Sequence, residues 1–407
     1  LTTQEFKKRW TSFGIGLIWL FILLWPLLGI KPDGLEFIPS LTLWLKLAVA
    51  ALCVMIVYEL NQRGLFEGLK SAGASLKGST EKLYAATPNW LLVCIGLGLA
   101  IAFPAMTGRY GHDVACNVLI YVCLGLGLNI VVGLAGLLDL GYIAFYGVGA
   151  YTYALLSIHY GLAFWLCLPI SALLAGIAGC IIGYPTLRMR GDYLAIVTLG
   201  FGEIVRLILN NWMDLTNGPN GLSDVSRPTV YWPDFSNGFS FELIMVKKVW
   251  MFYYVILAIA IVTIICVYRL NYSRIGRAWE AIREDETAAE LMGVNTFLLK
   301  LLAYAMGAAF AGFAGTFFAA RMRFVSPESF TFLESAMVLA MVVLGGMGSI
   351  PGVMLGALAL IALPEAFRDF ELYRMLVFGG VMTTMMLVRP KGLWPAKRVG
   401  RRSEEMD

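Results

Sequence analysis

Gly276–Gly293 reads GRAWEAIREDETAAELMG, and seven of its eighteen residues are charged in a chain that is 14% charged overall. It hangs between two long apolar runs, Val249–Val267 and Leu298–Ala320. About 20 mostly apolar residues suffice to cross a bilayer as a helix. The order is therefore span, polar helix-prone segment, span. A segment of that kind is built to touch something in water, so the chain reads as a membrane protein whose work depends on a soluble partner.

The rest of the chain repeats the apolar theme. Hydrophobic residues make up 59% of it, and mean hydropathy is +0.75. Without water in the hydrocarbon core, each span must satisfy its own backbone, which makes helices the default. Candidate spans fall at 10–30, 41–60, 90–107, 116–138, 142–159, 163–183, 193–211, 249–269, 299–320, 335–348, 351–367 and 374–388. The expected fold is an all-α polytopic membrane protein of roughly 10–12 transmembrane or half-spanning helices. Lys7, Lys8 and Arg9 precede the run Phe13–Ile30, but no small-residue cleavage pattern follows, so that run is read as a retained span.

Basic residues orient the spans. With the N-terminus inside, 61–89, 184–192, 270–298 and the tail all fall inside, and all are rich in Lys and Arg. The tail holds Arg389, Lys391, Lys397, Arg398, Arg401 and Arg402. Both termini are expected to be cytoplasmic. Arg321 and Arg323 fall outside and are the exception. Three regions follow: an N-terminal extension with two spans and a linker (1–89), a membrane core (90–395) with a polar loop at 270–298, and a basic tail (396–407).

An internal repeat is suggested. ALLAGIAG (Ala172–Gly179), then Arg188-Met189-Arg190, then LAIVTLG (194–200) are matched in order by AAFAGFAG (Ala308–Gly315), Arg321-Met322-Arg323 and LAMVVLG (339–345). The two RMR triplets fall on opposite sides, as inverted-topology repeats require. Coincidence among Ala- and Gly-rich spans is the alternative.

Few residues can carry chemistry. Cys53, Cys94, Cys116, Cys123, Cys167, Cys180 and Cys266 lie in or beside apolar runs with no CxxC pair, and the only histidines are His112 and His159. GxxxxGK[ST], HExxH and GxSxG are all absent. No cofactor is expected on this chain, and any ATP that drives it must bind another subunit. No basic patch is interleaved with aromatics, so nucleic acid is not an expected partner.

Four constellations remain. In GLGLNIVVGLAGLLDLGYIAFYGVGA (125–150), Asn129, Gly133 and Gly136 mark either an unwound stretch or close helix packing. In GDYLAIVTLGFGEIVR (191–206), Thr198 lies on a span. Glu203 and Arg206, three apart, can pair there, either as a functional site or as anchoring near the outer boundary. In FVSPESFTFLESAMVLAMVVLGGMGS (324–349), Glu334 opens an apolar run. That run ends in Gly345, Gly346 and Gly348, which form either a broken helix lining a cavity or a tight turn. All of these residues except Arg206, nine in all, are the candidate translocation path. The fourth is 276–293 itself, expected as one amphipathic helix closed by Gly293. Arg277–Glu280 and Glu280–Arg283 would be its internal ion pairs, and Ala281, Ile282, Ala288, Ala289 and Met292 its apolar strip.

GDYLAIVTLGFGEIVR, NGPNGL (217–222), GRAWEAIREDETAAELMG, the 324–349 string and RPKGLWP (389–395) together resemble the LivM-type permease of bacterial branched-chain amino acid ABC importers. The likeness covers about Val114 to Pro395. It implies an inner-membrane subunit that moves leucine, isoleucine and valine by alternating access. Its implied partners are a second permease of the LivH type, two cytoplasmic ATPases of the LivG and LivF types that use ATP and magnesium, and a periplasmic binding protein. It also implies that 276–293 is the loop coupled to the ATPases, through Arg277, Glu280, Ala281, Arg283, Glu284, Asp285, Glu286, Ala288, Ala289 and Gly293. The general importer pattern EAAxxxG has Thr287 here where Glu is usual, with Glu286 just before it. A gradient-driven secondary transporter using Glu203 and Glu334 is the other reading of the residues.

Overall fold

The computed structural model describes residues 89–189, 191–234, 240–246, 248–366, 379 and 392–395, and two short strands, Ile30–Lys31 and Gly34–Leu35. The spans expected at 10–30, 41–60 and 374–388 and the basic tail lie outside the described residues. The chain divides into two compact units, Leu1–Leu97 and Gly98–Asp407.

The apolar runs, and the polar segment between two of them, become helices, most within a few residues of the expected bounds. They are α1 (Asn89–Met106), α2 (Arg109–Leu128), α3 (Ile143–Tyr160), α4 (Phe164–Thr186), α5 (Asp192–Asn211), α6 (Val249–Asn271), α7 (Arg274–Glu284), α8 (Glu286–Leu291), α9 (Thr296–Met322), α10 (Phe332–Gly345) and α11 (Ile350–Ala366). Arg109–Leu134, Phe164–Thr186, Tyr193–Asn211, Val249–Asn271 and Thr296–Met322 are long and apolar enough to cross a membrane, and Phe332–Gly345 and Ile350–Ala362 are shorter apolar helices. The fold is that of an α-helical polytopic membrane protein. Among the described residues after α1, strands occur in connectors between helices, where Thr229–Asp234 pairs antiparallel with Ser240–Met245 and Leu222–Ser223 with Phe324–Val325.

The core is organised on α9, which packs chiefly on α4, α3 and α2. Water cannot drive helices together inside a bilayer, so small residues that admit close backbone contact do that work. A Cβ on Gly149 of α3 would lie 2.5 Å from the Gly312 Cα of α9, and one on Gly179 of α4 would lie 2.7 Å from the Ala308 Cβ. Gly149→Ala is therefore expected to cost about 3 kcal/mol, because the clash is with backbone and not with a side chain that can swing aside. Thermal unfolding of the purified protein in detergent measures this, and an unchanged transition would mean that α3 and α9 lie further apart.

Both copies of the suspected repeat sit in this contact. Gly183, late in α4, abuts Leu301, early in α9, while Ala172 abuts Gly312. The two small-residue segments are thus packed face to face and antiparallel. Arg188 and Met189, just past the end of α4, and Arg321–Arg323, at the end of α9, therefore lie at opposite ends of the helix pair.

At one end, Arg321 donates to Asn117 Oδ1 at 2.6 Å and pairs with Asp113 at 3.0 Å, and Arg323 pairs with Asp224 at 3.4 Å. These two arginines broke the charge rule in the sequence. Each has an acidic partner contributed by a connector or a helix start at the same end.

Candidate functional site

At the other end, Ser273 caps α7 by accepting from the Gly276 amide at 3.2 Å, and Asn295 caps α9 by accepting from Leu298 at 3.1 Å. Gly276 is required because a Cβ there would lie 2.4 Å from the Leu270 carbonyl oxygen of α6. Trp279 is fully buried and donates from Nε1 to the Leu299 carbonyl at 2.7 Å. That indole pins α7 to α9, and the sequence reading did not single it out.

The segment 276–293 is two helices and not one. Asp285 is extended, with φ −153° and ψ 109°, and its carboxylate accepts from the Ala288 amide at 3.0 Å. An aspartate with its side chain bonded to an amide three residues on starts a helix, so Asp285 ends α7 and opens α8. The expected apolar strip is divided accordingly. Ile282 and Ala289 are buried, but Ala281, Ala288 and Met292 are exposed. Leu291 and Met292 are each 84% exposed, at the tip before Gly293, which turns the chain at φ +86°.

The expected internal ion pairs are not formed. Among the described residues neither Arg277 nor Glu280 makes an ion pair. Arg283 instead donates to the Gly133 carbonyl, and its stem lies over Gly136, where an added Cβ would be 2.8 Å from its Cγ. Glu286 pairs with Lys300 of α9 at 2.6 Å. Glu286 is therefore turned back onto its own bundle, and Thr287, at the position where the importer pattern has Glu, is exposed.

Gly133 lies in a π-helical turn, Asn129–Leu134, that continues α2. Asn129 Oδ1 accepts from the Gly348 amide at 2.8 Å, and a Cβ on Gly133 would lie 2.6 Å from that nitrogen. Gly348 belongs to the turn between α10 and α11, where Gly346 and Gly348 have φ of 118° and 86°. Gly345 and Gly352 touch across the turn, and the Leu393 and Trp394 amides donate to the Leu344 and Gly345 carbonyls at 2.8 and 3.0 Å. Of the two readings of Gly345–Gly348, the tight turn is correct. Arg283 on α7 and Gly348 in the α10–α11 turn are thus both hydrogen-bonded to the same π-turn, one at Gly133 and the other at Asn129, and these contacts form one series. Six of the path candidates (Asn129, Gly133, Gly136, Gly345, Gly346 and Gly348) lie in or beside the π-turn and the α10–α11 turn, which the Asn129–Gly348 bond joins.

From Ala135 the chain runs without helix to Tyr142, back into the bundle. The Tyr142 hydroxyl donates to the carbonyl of Gly307, half-way along α9, at 2.9 Å. Irregular backbone at membrane depth must be satisfied by protein, and here it is. Leu137 N donates to the Val131 carbonyl, Leu140 N to Thr198 Oγ1 at 3.1 Å, Gly141 N to Asp139 Oδ1 at 2.9 Å and Ile143 N to Ser335 Oγ at 3.0 Å. Thr198 thus acts as a brace for this connector. Asp139, also missed in the sequence, is fully buried, and its Oδ2 has no partner among the described residues. Its only sequence signal is a carboxylate in an otherwise uncharged 26-residue Gly-rich stretch.

The remaining path candidates are engaged. Tyr121 donates to Glu334 Oε2 at 2.5 Å. Arg206 Nε donates to Glu203 Oε2 at 2.8 Å, which realises the expected pair. Because α5 runs from Asp192 to Asn211, Glu203 lies about 16 Å from its start and about 12 Å from its end. It is near the middle of the helix.

A polytopic helical bundle, with a short amphipathic helix pair tied to its core at one end and no catalytic cluster required by its motifs, has the architecture of a transport subunit. Residues 112–387 match the family described as the permease component of the branched-chain amino acid transport system, and the chain belongs to that family. It is 48% identical to the high-affinity branched-chain amino acid transport system permease protein LivM of Escherichia coli K12, over 85% of this chain and 84% of the relative. It is 51% identical to the LivM of Salmonella typhimurium LT2, over 80% and 78%. The LivH permease of Escherichia coli K12 is 28% identical over 67% of this chain and 90% of its own length. No solved structure matches.

Proposed function

We propose that this chain is the LivM-type subunit of an ATP-driven importer of leucine, isoleucine and valine in the bacterial inner membrane. It pairs with a LivH-type permease and works with two ATPase subunits and a periplasmic binding protein. In this reading α7 and α8 face the cytoplasm, with both termini on that side. The observation that carries the proposal is the α7–α8 pair, whose exposed tip, Leu291 and Met292, is joined to the bundle by Trp279, Lys300 and Arg283. A push on the tip reaches the core through defined bonds. The chain then needs only mechanical coupling, and ATP and magnesium are used by the partner subunits.

The test is purification of the chain from its native membrane, with partners identified by mass spectrometry, followed by reconstitution. A second permease and two ATPase subunits are expected. Leucine uptake into the vesicles is expected to follow ATP and to persist after ion gradients are collapsed. Uptake that stops with the gradients, without need of ATP, would overturn the proposal.

A further inference from the structure

Of the five long apolar spans, the one in α5 is the least covered by its own chain, with 17% of its apolar window buried against 39% to 67% for the others. Its inner face is closed. Leu194, Ala195 and Thr198 are buried, and Gly202 lies against Gly141, where a Cβ would be 3.0 Å from that Cα. Its outer face is open. Ile196 and Leu207 are exposed, Gly200 has nothing within 4 Å of where its Cβ would be, and Glu203 and Arg206 keep 32–33% of their side-chain surface.

An ion pair so placed does not face acyl chains. Charges at membrane depth are costly and turn toward protein or a water-filled passage. Long basic side chains escape by reaching the interface, but a glutamate about 12 Å from the nearer end of the helix is too short to do so. The open face of α5 therefore borders something polar that the described residues do not themselves supply.

We propose that the Glu203–Arg206 pair is a polar station of the transport passage, on the face turned toward the sister permease, where a zwitterionic α-amino acid exchanges with the internal ion pair. The substrate ammonium takes Glu203, its carboxylate takes Arg206, and its aliphatic side chain lies along Ile196, Gly200 and Leu207. The exchange adds no net charge to a region where net charge is expensive, since one pair of opposite charges is replaced by two. This rests on the importer reading, and it names the substrate contact within that reading.

The test uses the assembled transporter: this chain, the sister permease, both ATPases and the binding protein in proteoliposomes. Glu203→Cys and Leu207→Cys variants are treated with a charged, membrane-impermeant methanethiosulfonate. Modification is read at the substituted position by mass spectrometry, so the native cysteines do not enter. Leu207→Cys leaves the ion pair intact and serves if Glu203→Cys does not fold. Ile181→Cys, on the 67% exposed apolar side of α4, is the lipid-facing control. Reaction is expected at position 203 or 207 in at least one nucleotide state, slowed about tenfold by leucine at ten times its half-saturating concentration. Position 181 is expected to stay unreactive. Positions 203 and 207 as inert as 181 in every nucleotide state, or reactive at a rate that leucine does not change, would overturn the proposal. ATP-driven uptake by the unsubstituted assembly checks the importer reading separately.

Discussion

A chain carrying Leu291→Glu and Met292→Glu is expected to fold and to pair with its sister permease, yet to lose the ATPase subunits on purification. Both side chains are 84% exposed, at the end of a helix whose other contacts point inward. Ala289 is buried behind them, and Glu286 is held by Lys300. Substitution at the tip therefore removes no internal packing. Full burial of a Leu or Met side chain at a partner surface contributes about 1.5–3 kcal/mol each, and each 1.4 kcal/mol is a factor of about ten in affinity. Two such contacts replaced by carboxylates, which must also be desolvated, should weaken ATPase binding by at least about a hundredfold. Co-purification from mild detergent, read by stoichiometry on a gel, measures the loss. Elution volume of the permease pair on size exclusion shows that the fold survives. Retention of the ATPases at parental stoichiometry would mean that they dock elsewhere.

Helix positions were readable because period and length are strong signals in apolar sequence. α3, α4 and α5 begin and end within a few residues of their expected bounds. α2 starts at Arg109, earlier than the expected 116, and its added first turns carry Asp113, which looks like connector by composition and pairs with Arg321. The polar loop was recognised by its charge, but its internal geometry was not. Spacing of three residues made Glu280–Arg283 look like a pair, and nothing local reveals that a carbonyl 150 residues away takes the guanidinium. Asp285 could have been found, since an Asp three residues before Ala288 is an N-cap signal that competes with helix continuity. The glycines were read as path-lining because Gly is ambiguous in sequence. It serves a turn at positive φ, a close helix crossing or an unwound segment equally well, and only coordinates separate Gly348 from Gly149 from Gly133. Asp139 and the bonds around the connector 135–142 are tertiary in origin, with partners on α5 and α10.

Arg283→Ala is expected to uncouple the transporter: ATP hydrolysis continues, while leucine moved per ATP falls by about ten- to a hundredfold. The guanidinium bond to the Gly133 carbonyl ties α7 to the π-turn that ends α2. A hydrogen bond from a charged donor contributes about 1.5–3 kcal/mol, which sets the free energy by which the two elements can be held in step. Trp279 still pins α7 to α9, so the helix stays in place without its contact to α2. Arg283→Lys should recover part of the coupling, since the ammonium can still donate to the carbonyl but lacks the planar group and its reach. The same series passes through Asn129, which holds the Gly348 amide. Asn129→Ala should therefore lower the coupling ratio in the same way from the other end. If the series acts as one unit, the double variant is no worse than the more severe single one, because a connection already broken cannot be broken again. Residues that act through a shared network depart from additivity, and residues that act independently do not. Uptake and hydrolysis measured on the same proteoliposomes give the ratio for all four proteins. Losses that simply multiply would show that Arg283 and Asn129 support the fold separately, and that α7 moves the bundle by another route.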